Sequence, residues 1–96
     1  MNDEAAARIA KSFSHPLRIE LLRMLRARPD LSPVEYARES SEPLGNVSYH
    51  MNVLLDAQVI SQTSMVARRG TMEHRYALKG RRAEAALGVL DLLADS

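Results

Sequence analysis

The chain has 96 residues, 13 lysines and arginines against 12 acids, and a formal net charge of +1. That length supports one compact domain with a modest core and leaves little room for a second binding domain. Cysteine is absent, which excludes disulfides, thiolate metal sites, iron–sulfur clusters and a cysteine nucleophile. Asp3 to Phe13 reads as a first helix, with Ala6, Ile9, Ala10 and Phe13 at helical spacing. Ser14 is the expected N-cap of the next helix, because His15-Pro16 puts proline in its first turn, where a missing N–H costs nothing. Leu17, Leu21, Leu22 and Leu25 then form an apolar stripe, and Arg18, Glu20, Arg23 and Arg26 are assigned to the opposite side. Pro29-Asp30 ends this helix.

Ser32-Pro33-Val34-Glu35 is a capping box: the Ser32 hydroxyl accepts from the Glu35 N–H while the Glu35 carboxylate reaches back. A short helix, Pro33 to Glu39, follows. Ser40 to Pro43 is a turn, and helix resumes from about Leu44 to Ala57 with Val47, Met51, Leu54 and Leu55 on its buried side. Val59 to Val66 and Met72 to Leu78 are rich in β-formers, with Arg68-Arg69-Gly70-Thr71 between them as a hairpin tip. The last helix, Arg81 to Ala94, carries Leu87, Val89, Leu90, Leu92 and Leu93 over more of its circumference than one buried stripe requires.

The predicted order is α-α-α-α-β-β-α, mainly α with a β-hairpin, in one domain over residues 1–96. Two helices of unequal length joined by a tight turn, then a hairpin with a basic tip, describe a winged helix-turn-helix. Such a unit suits duplex DNA. The major groove, about 12 Å wide, accepts one α-helix, and a hairpin beside it can place arginines on phosphates or in the minor groove. Net charge alone argues weakly for nucleic acid, but Arg68, Arg69, Arg75, Lys79, Arg81 and Arg82 crowd one stretch that holds a single acid, Glu73.

The stretch Ser14-His15-Pro16-Leu17-Arg18-Ile19 resembles the opening of ArsR-type regulators, a bacterial and archaeal winged-helix family. Asn46-Val47-Ser48-Tyr49-His50-Met51-Asn52-Val53-Leu54, followed by Ala57 and Val59-Ile60, is similar to that family's recognition helix. Glu73-His74-Arg75-Tyr76 is similar to its returning wing strand. The resemblance implies a dimeric DNA-binding regulator whose first and last helices form the dimer interface. It also implies metal sites in some members, built from cysteines before the turn or from acids and histidines on the last helix. Here Val34 to Arg38 has no cysteine and the last helix has no histidine, so neither metal site is expected. No cofactor is expected either.

With Met51 facing the core, at about 100° per residue, Gly45, Asn46, Tyr49, Asn52, Val53 and Asp56 fall on the outer half of the helix, with Ser48 and His50 on its flanks. Asn46 and Asn52 match the donor–acceptor edge of adenine, Ser48 can donate or accept, and Tyr49 suits a phosphate or a thymine methyl. Gly45 allows close approach to a phosphate. The expected DNA-binding set is thus Gly45, Asn46, Ser48, Tyr49, His50 and Asn52, with Arg68, Arg69 and Arg75 from the wing. No lysine or arginine occurs from Leu44 to Gln58, so the common arginine–guanine contact is missing from this helix.

The terminal helices, residues 3–13 and 81–94, are the expected dimerisation elements through Ala6, Ile9, Phe13, Leu87, Leu90 and Leu93, an apolar surplus for one small core. A small-molecule effector could lie between them; its identity is not encoded. The acidic opening Met1-Asn2-Asp3-Glu4, and the lack of a run of about 18 apolar residues, predict a cytoplasmic protein with no membrane association. No G-x-S-x-G elbow, phosphate-cradling glycine loop or H-E-x-x-H is present, so no enzymatic activity is expected. The expected function is a sequence-specific, dimeric repressor. The alternative from a different class is a winged-helix scaffold that binds protein partners instead of DNA.

Overall fold

The computed structural model describes residues 2–94; Met1 of the acidic opening, with Asp95 and Ser96, lies outside the described residues. The elements are α1 (Asp3–Ser12), α2 (Pro16–Ala27), α3 (Pro33–Ser40), α4 (Leu44–Asp56), β1 (Ile60–Arg68), β2 (Thr71–Leu78) and α5 (Gly80–Ala94). This is the predicted order, with element ends displaced by one or two residues, as the ends of elements commonly are.

Side-chain caps set most helix starts. Asn2 accepts from the Ala5 N–H at 2.8 Å to open α1. At α2 the expected cap is corrected. His15, not Ser14, is the N-cap, its ring Nδ1 accepting from the Leu17 N–H at 3.1 Å with Pro16 in the first turn. Ser14 instead donates to the Lys11 carbonyl at 2.8 Å. The Ser32–Glu35 capping box of α3 is present in both directions, at 3.1 and 3.3 Å. Ser41, at φ 60°, ends α3 in the left-handed region, and a short turn leads into α4.

β1 and β2 pair antiparallel from Ile60–Leu78 to Arg68–Thr71, with a bulge that leaves Thr63 as an extra residue in β1. The tip residues Arg69 and Gly70 have φ of 47° and 86°, the two positive values of the tight hairpin turn whose twist matches its strands. A backbone bridge ties the hairpin to the loop after α2. The Leu31 N–H donates to the Tyr76 carbonyl at 3.0 Å, and the Tyr76 N–H donates to the Leu31 carbonyl at 2.9 Å. The wing is therefore pinned at its base.

The core joins Leu21, Leu22 and Leu25 of α2 to Val47, Met51 and Leu54 of α4, with Leu31, Tyr36, Val59, Ile60 and Tyr76 closing its sides. Burying each large aliphatic side chain contributes about 1.5–3 kcal/mol. Ile9 of α1 and Leu90 of α5 belong to this same core, at 5% and 2% exposure. That corrects part of the expected apolar surplus, because these two are absorbed by the monomer. Phe13 and Leu87 are half-buried against the core, Ala6 is exposed, and Leu92 and Leu93 are exposed at the end of α5.

Arg18 is a further correction. It is buried, not on the outer side of α2. Its spacing from Leu22 and Leu25, four and seven residues, places it in the middle of the apolar stripe, and its guanidinium turns toward the α1–α2 junction and α4.

Candidate nucleic-acid interface

α4 presents a polar outer face because its apolar residues are committed inward. Val47, Met51 and Leu54 are fully buried, while Gly45, Asn46, Asn52 and Asp56 are exposed, Ser48 and Val53 are half-buried, and Tyr49 is 60% exposed. The first turn starts after Pro43 with no side-chain cap, and the Pro43 carbonyl accepts from the Asn46 N–H at 3.1 Å and from the Val47 N–H at 3.2 Å. At the other end, α4 has no basic residue of its own, and two arginines from elsewhere serve its last carbonyls. Arg8 donates to the Asp56 carbonyl at 3.1 Å, and Arg82 donates to the Ala57 carbonyl at 3.0 Å. Both contacts oppose the negative end of the helix dipole and tie α1 and α5 to the end of α4.

His50 departs from its expected place on the flank. It is buried, its Nδ1 lies 2.8 Å from Arg18 Nη1, and its ring lies against that of His15 with centroids 4.2 Å apart. It faces the protein, so it leaves the outward set. His74, on the wing, is exposed and bonded to Gln62 across the hairpin at 2.8 Å. Among the described residues, no group of three or more His, Asp or Glu side chains is placed to hold a metal ion.

The basic stretch read from the sequence divides in space. Arg68 and Arg69 sit at the tip of the hairpin, whereas Lys79, Arg81 and Arg82 follow its base, beyond the Ile60–Leu78 pair. Eight residues of strand, at about 3.3 Å each, separate the two groups. The tip group lines an open cleft with Val34 and Arg38 of α3 and Met72 of β2. A second groove runs between α4 and the wing, lined by Leu44, Ser48, Asn52, Met72 and His74.

Not every arginine of the tip cleft is available to a ligand. Arg75 is only 19% exposed, donates to the Asp30 carbonyl at 2.6 Å, and pairs with Glu35 at 2.7 Å and Glu73 at 3.8 Å. Its expected phosphate role is therefore corrected: it braces β2 against α3. Glu73 in turn accepts from the Ser32 hydroxyl at 2.8 Å and from Arg68 Nε at 3.3 Å. The Ser32 hydrogen bond, then the arginines, hold the Glu73 carboxyl below its usual range despite partial burial. Arg28 shares Glu35 at 3.3 Å and takes Glu39 of α3 at 2.5 Å. Among the described residues, Arg38 and Arg69 make no ion pair, so the cleft offers two uncommitted cations and one, Arg68, that is half-committed. Replacing Arg75 by alanine is expected to cost about 1–3 kcal/mol, from lost charged hydrogen bonds, while leaving any salt dependence of DNA binding unchanged. Thermal melting and a salt titration of the same sample check both halves.

Residues 13–63, more than half of the chain, match a family model described as a helix-turn-helix domain. Among solved structures, the chain is similar to that of a possible transcriptional regulatory protein (fragment 1–100) from Mycobacterium bovis. The two share 19% sequence identity at a TM-score of 0.72, over 97% of this chain and 94% of that one. That likeness shows the fold, a winged helix-turn-helix. No curated protein matches the chain. Among the described residues, no helix is long and apolar enough to cross a membrane.

Proposed function

The chain belongs to the helix-turn-helix domain family, and from that premise we propose that it is a sequence-specific, double-stranded DNA-binding transcriptional regulator that acts by binding, without catalysis. The observation that carries this reading is the outer face of α4. Asn46, Tyr49 and Asn52 stand exposed there, with the uncommitted Arg38 and Arg69 nearby on α3 and the wing. α4 enters the major groove, Asn46 and Asn52 read base edges with Ser48 and Tyr49 beside them, and Gly45 lets the uncapped helix start approach a phosphate. Arg38, Arg68 and Arg69 neutralise phosphates or enter the adjacent minor groove.

The protein works as a homodimer, of the ArsR-like kind, in the cytoplasm of a bacterium or archaeon. Ala6, Phe13, Leu87 and Leu93 of the terminal helices, joined by Leu92, form the interface, with Ile9 and Leu90 supporting it from within. A two-fold pair places two copies of α4 about one DNA turn apart, roughly 34–36 Å. Bound over a promoter it acts as a repressor, and a small molecule seated between the terminal helices would change the spacing of the two heads.

Selection from a random duplex pool, then titration of the winner at several salt concentrations, tests the reading. The expected result is an inverted repeat with half-sites about 10 bp apart and an affinity that falls steeply with salt. A folded sample that enriches no sequence sinks it. The exposed Leu44 of α4, with Val34 and Met72 in the same groove, would then favour a protein-binding scaffold.

A further inference from the structure

Arg18 is a buried cation that makes no ion pair among the described residues. Its guanidinium Nη2 donates to the Lys11 carbonyl at 3.0 Å and to the Ser14 hydroxyl at 2.6 Å, and its Nη1 meets His50 Nδ1 at 2.8 Å. Its Nε has no partner. Every acceptor it has is neutral. An arginine carries donors only, so the contact at 2.8 Å requires a lone pair on His50 Nδ1 and hence a neutral imidazole with its proton on Nε2. The His15 ring, itself the N-cap of α2, lies against the other side of this contact. The α1–α2 junction, α2 and α4 therefore meet at one imidazole.

We propose that Arg18 and His50 form a proton-sensitive latch that positions the reading helix, so that acidification releases α4 and weakens specific binding to duplex DNA. The DNA part of this inference rests on the function proposed above. A proton added to Nδ1 would face a guanidinium N–H at hydrogen-bond distance, donor against donor and cation against cation. The contact must then open. His50 is adjacent to Tyr49, with the two rings edge-on and centroids 5.0 Å apart, so its displacement moves a residue of the outer face. Solvent reaches the site through a cleft lined by His15, Glu20, Tyr36, Glu42, Asn46 and His50.

Burial, with the groups around the imidazole, sets the direction. Burial, then the electrostatic influence of His15 and Arg18, push the His50 pKa below the usual histidine value, and Glu42 in the turn before α4 opposes them only in part. The folded protein thus binds this proton less readily than the unfolded chain. The latch contributes fully above about pH 6.5, the unfolded histidine value, and is lost as pH falls from there through the lower folded pKa. An asparagine at position 50 would satisfy Arg18 at every pH, since its Oδ1 stands where Nδ1 stands. A histidine makes the same contact conditional.

The test compares the wild-type protein with His50→Asn at pH 8 and pH 5.5, at fixed salt. It reads affinity for the selected duplex and, in the free protein, hydrogen exchange of the α4 amides corrected for intrinsic rates. Wild-type binding is expected to weaken several-fold at pH 5.5, with faster α4 exchange that follows the His50 ring titration by NMR. His50→Asn is expected to show neither change. Simple electrostatics has the opposite sign, because protonated histidines add positive charge and tighten binding to phosphate. Wild-type binding that tightens on acidification, or a variant that weakens as the wild type does, overturns the latch. If no duplex binds even at pH 8, the proposed function fails, and the exchange data still judge the latch: α4 protection independent of the His50 titration overturns it. Should His50→Asn not fold, the wild-type titration alone decides.

Discussion

Replacing Leu54 by alanine is expected to lower the thermal midpoint by roughly 10–30 °C, the largest single effect on stability that the fold predicts. Leu54 is fully buried in α4 and belongs to the core shared with α2 and β1. Its backbone carbonyl also accepts from the Val59 N–H at 3.2 Å, at the left-handed Gln58 where the helix hands over to the wing. Truncation removes the transfer free energy of the lost methyl groups and leaves a cavity that close-packed neighbours fill only in part, about 2–5 kcal/mol in all. A domain of 96 residues has, at about 0.05–0.15 kcal/mol per residue, only some 5–14 kcal/mol to lose. Each kcal/mol is worth about 4–8 °C at this size. Circular dichroism melting checks the prediction. Leu54→Met keeps volume and apolarity and should cost less than about 1.5 kcal/mol, which separates the cavity from any effect of altering α4 itself. A midpoint within a few degrees of wild type for Leu54→Ala would mean that α4 is not held by this packing.

What could be read from the sequence was local. The Ser32–Glu35 capping box, the proline opening α2 and the Arg-Gly hairpin tip depend on residues three or four apart, and each occurs as the sequence predicts. Val47, Met51 and Leu54 face inward because helical periodicity and hydrophobicity agree there. Arg18 shows the reverse case. Its periodicity pointed inward and its charge pointed outward; periodicity won, because three polar groups from other segments receive the guanidinium. The spacing to Leu22 and Leu25 was the available signal, and the habit of placing arginine outside concealed it.

Other features needed the tertiary fold. No local pattern announces the Leu31–Tyr76 bridge, or the pairing of Arg75 with Glu35 across 40 residues of chain. The basic stretch looked continuous because sequence order hides the length of a hairpin, which carries Arg69 away from Arg81. At the terminal helices the apolar excess was visible, but its division between core and surface was not. Ile9 and Leu90 went inward, and Leu92 and Leu93 did not. The outer face of α4, by contrast, followed from counting alone, apart from His50.

Changing Arg69 to asparagine together with Arg38 to alanine is expected to give the largest loss of DNA binding that leaves the fold intact. Both side chains are exposed and, among the described residues, neither makes an ion pair, so removing them breaks no described contact of that kind. Arg69 has a further peculiarity. At φ 47° it occupies the left-handed region, which an arginine enters at a cost of order 1 kcal/mol and which asparagine tolerates well. An arginine kept in that position, first in a two-residue turn where asparagine is preferred, points to work done outside the fold. Alanine at position 38 is also at least as good a helix former. The double variant should therefore melt at or slightly above the wild-type temperature. In the proposed dimer it removes four positive charges from the DNA face. Each lost phosphate contact flattens the dependence of log affinity on log salt by about 0.9, so the slope should fall by roughly 3–4 and affinity by at least about tenfold near 0.1 M salt. Titrations at four salt concentrations, beside a melting curve, measure both. Stability held and slope reduced would identify the tip cleft as the phosphate clamp. An unchanged slope would move the clamp to Lys79, Arg81 and Arg82 at the base of the wing, and α4 would then have to meet the groove from the opposite end of the hairpin.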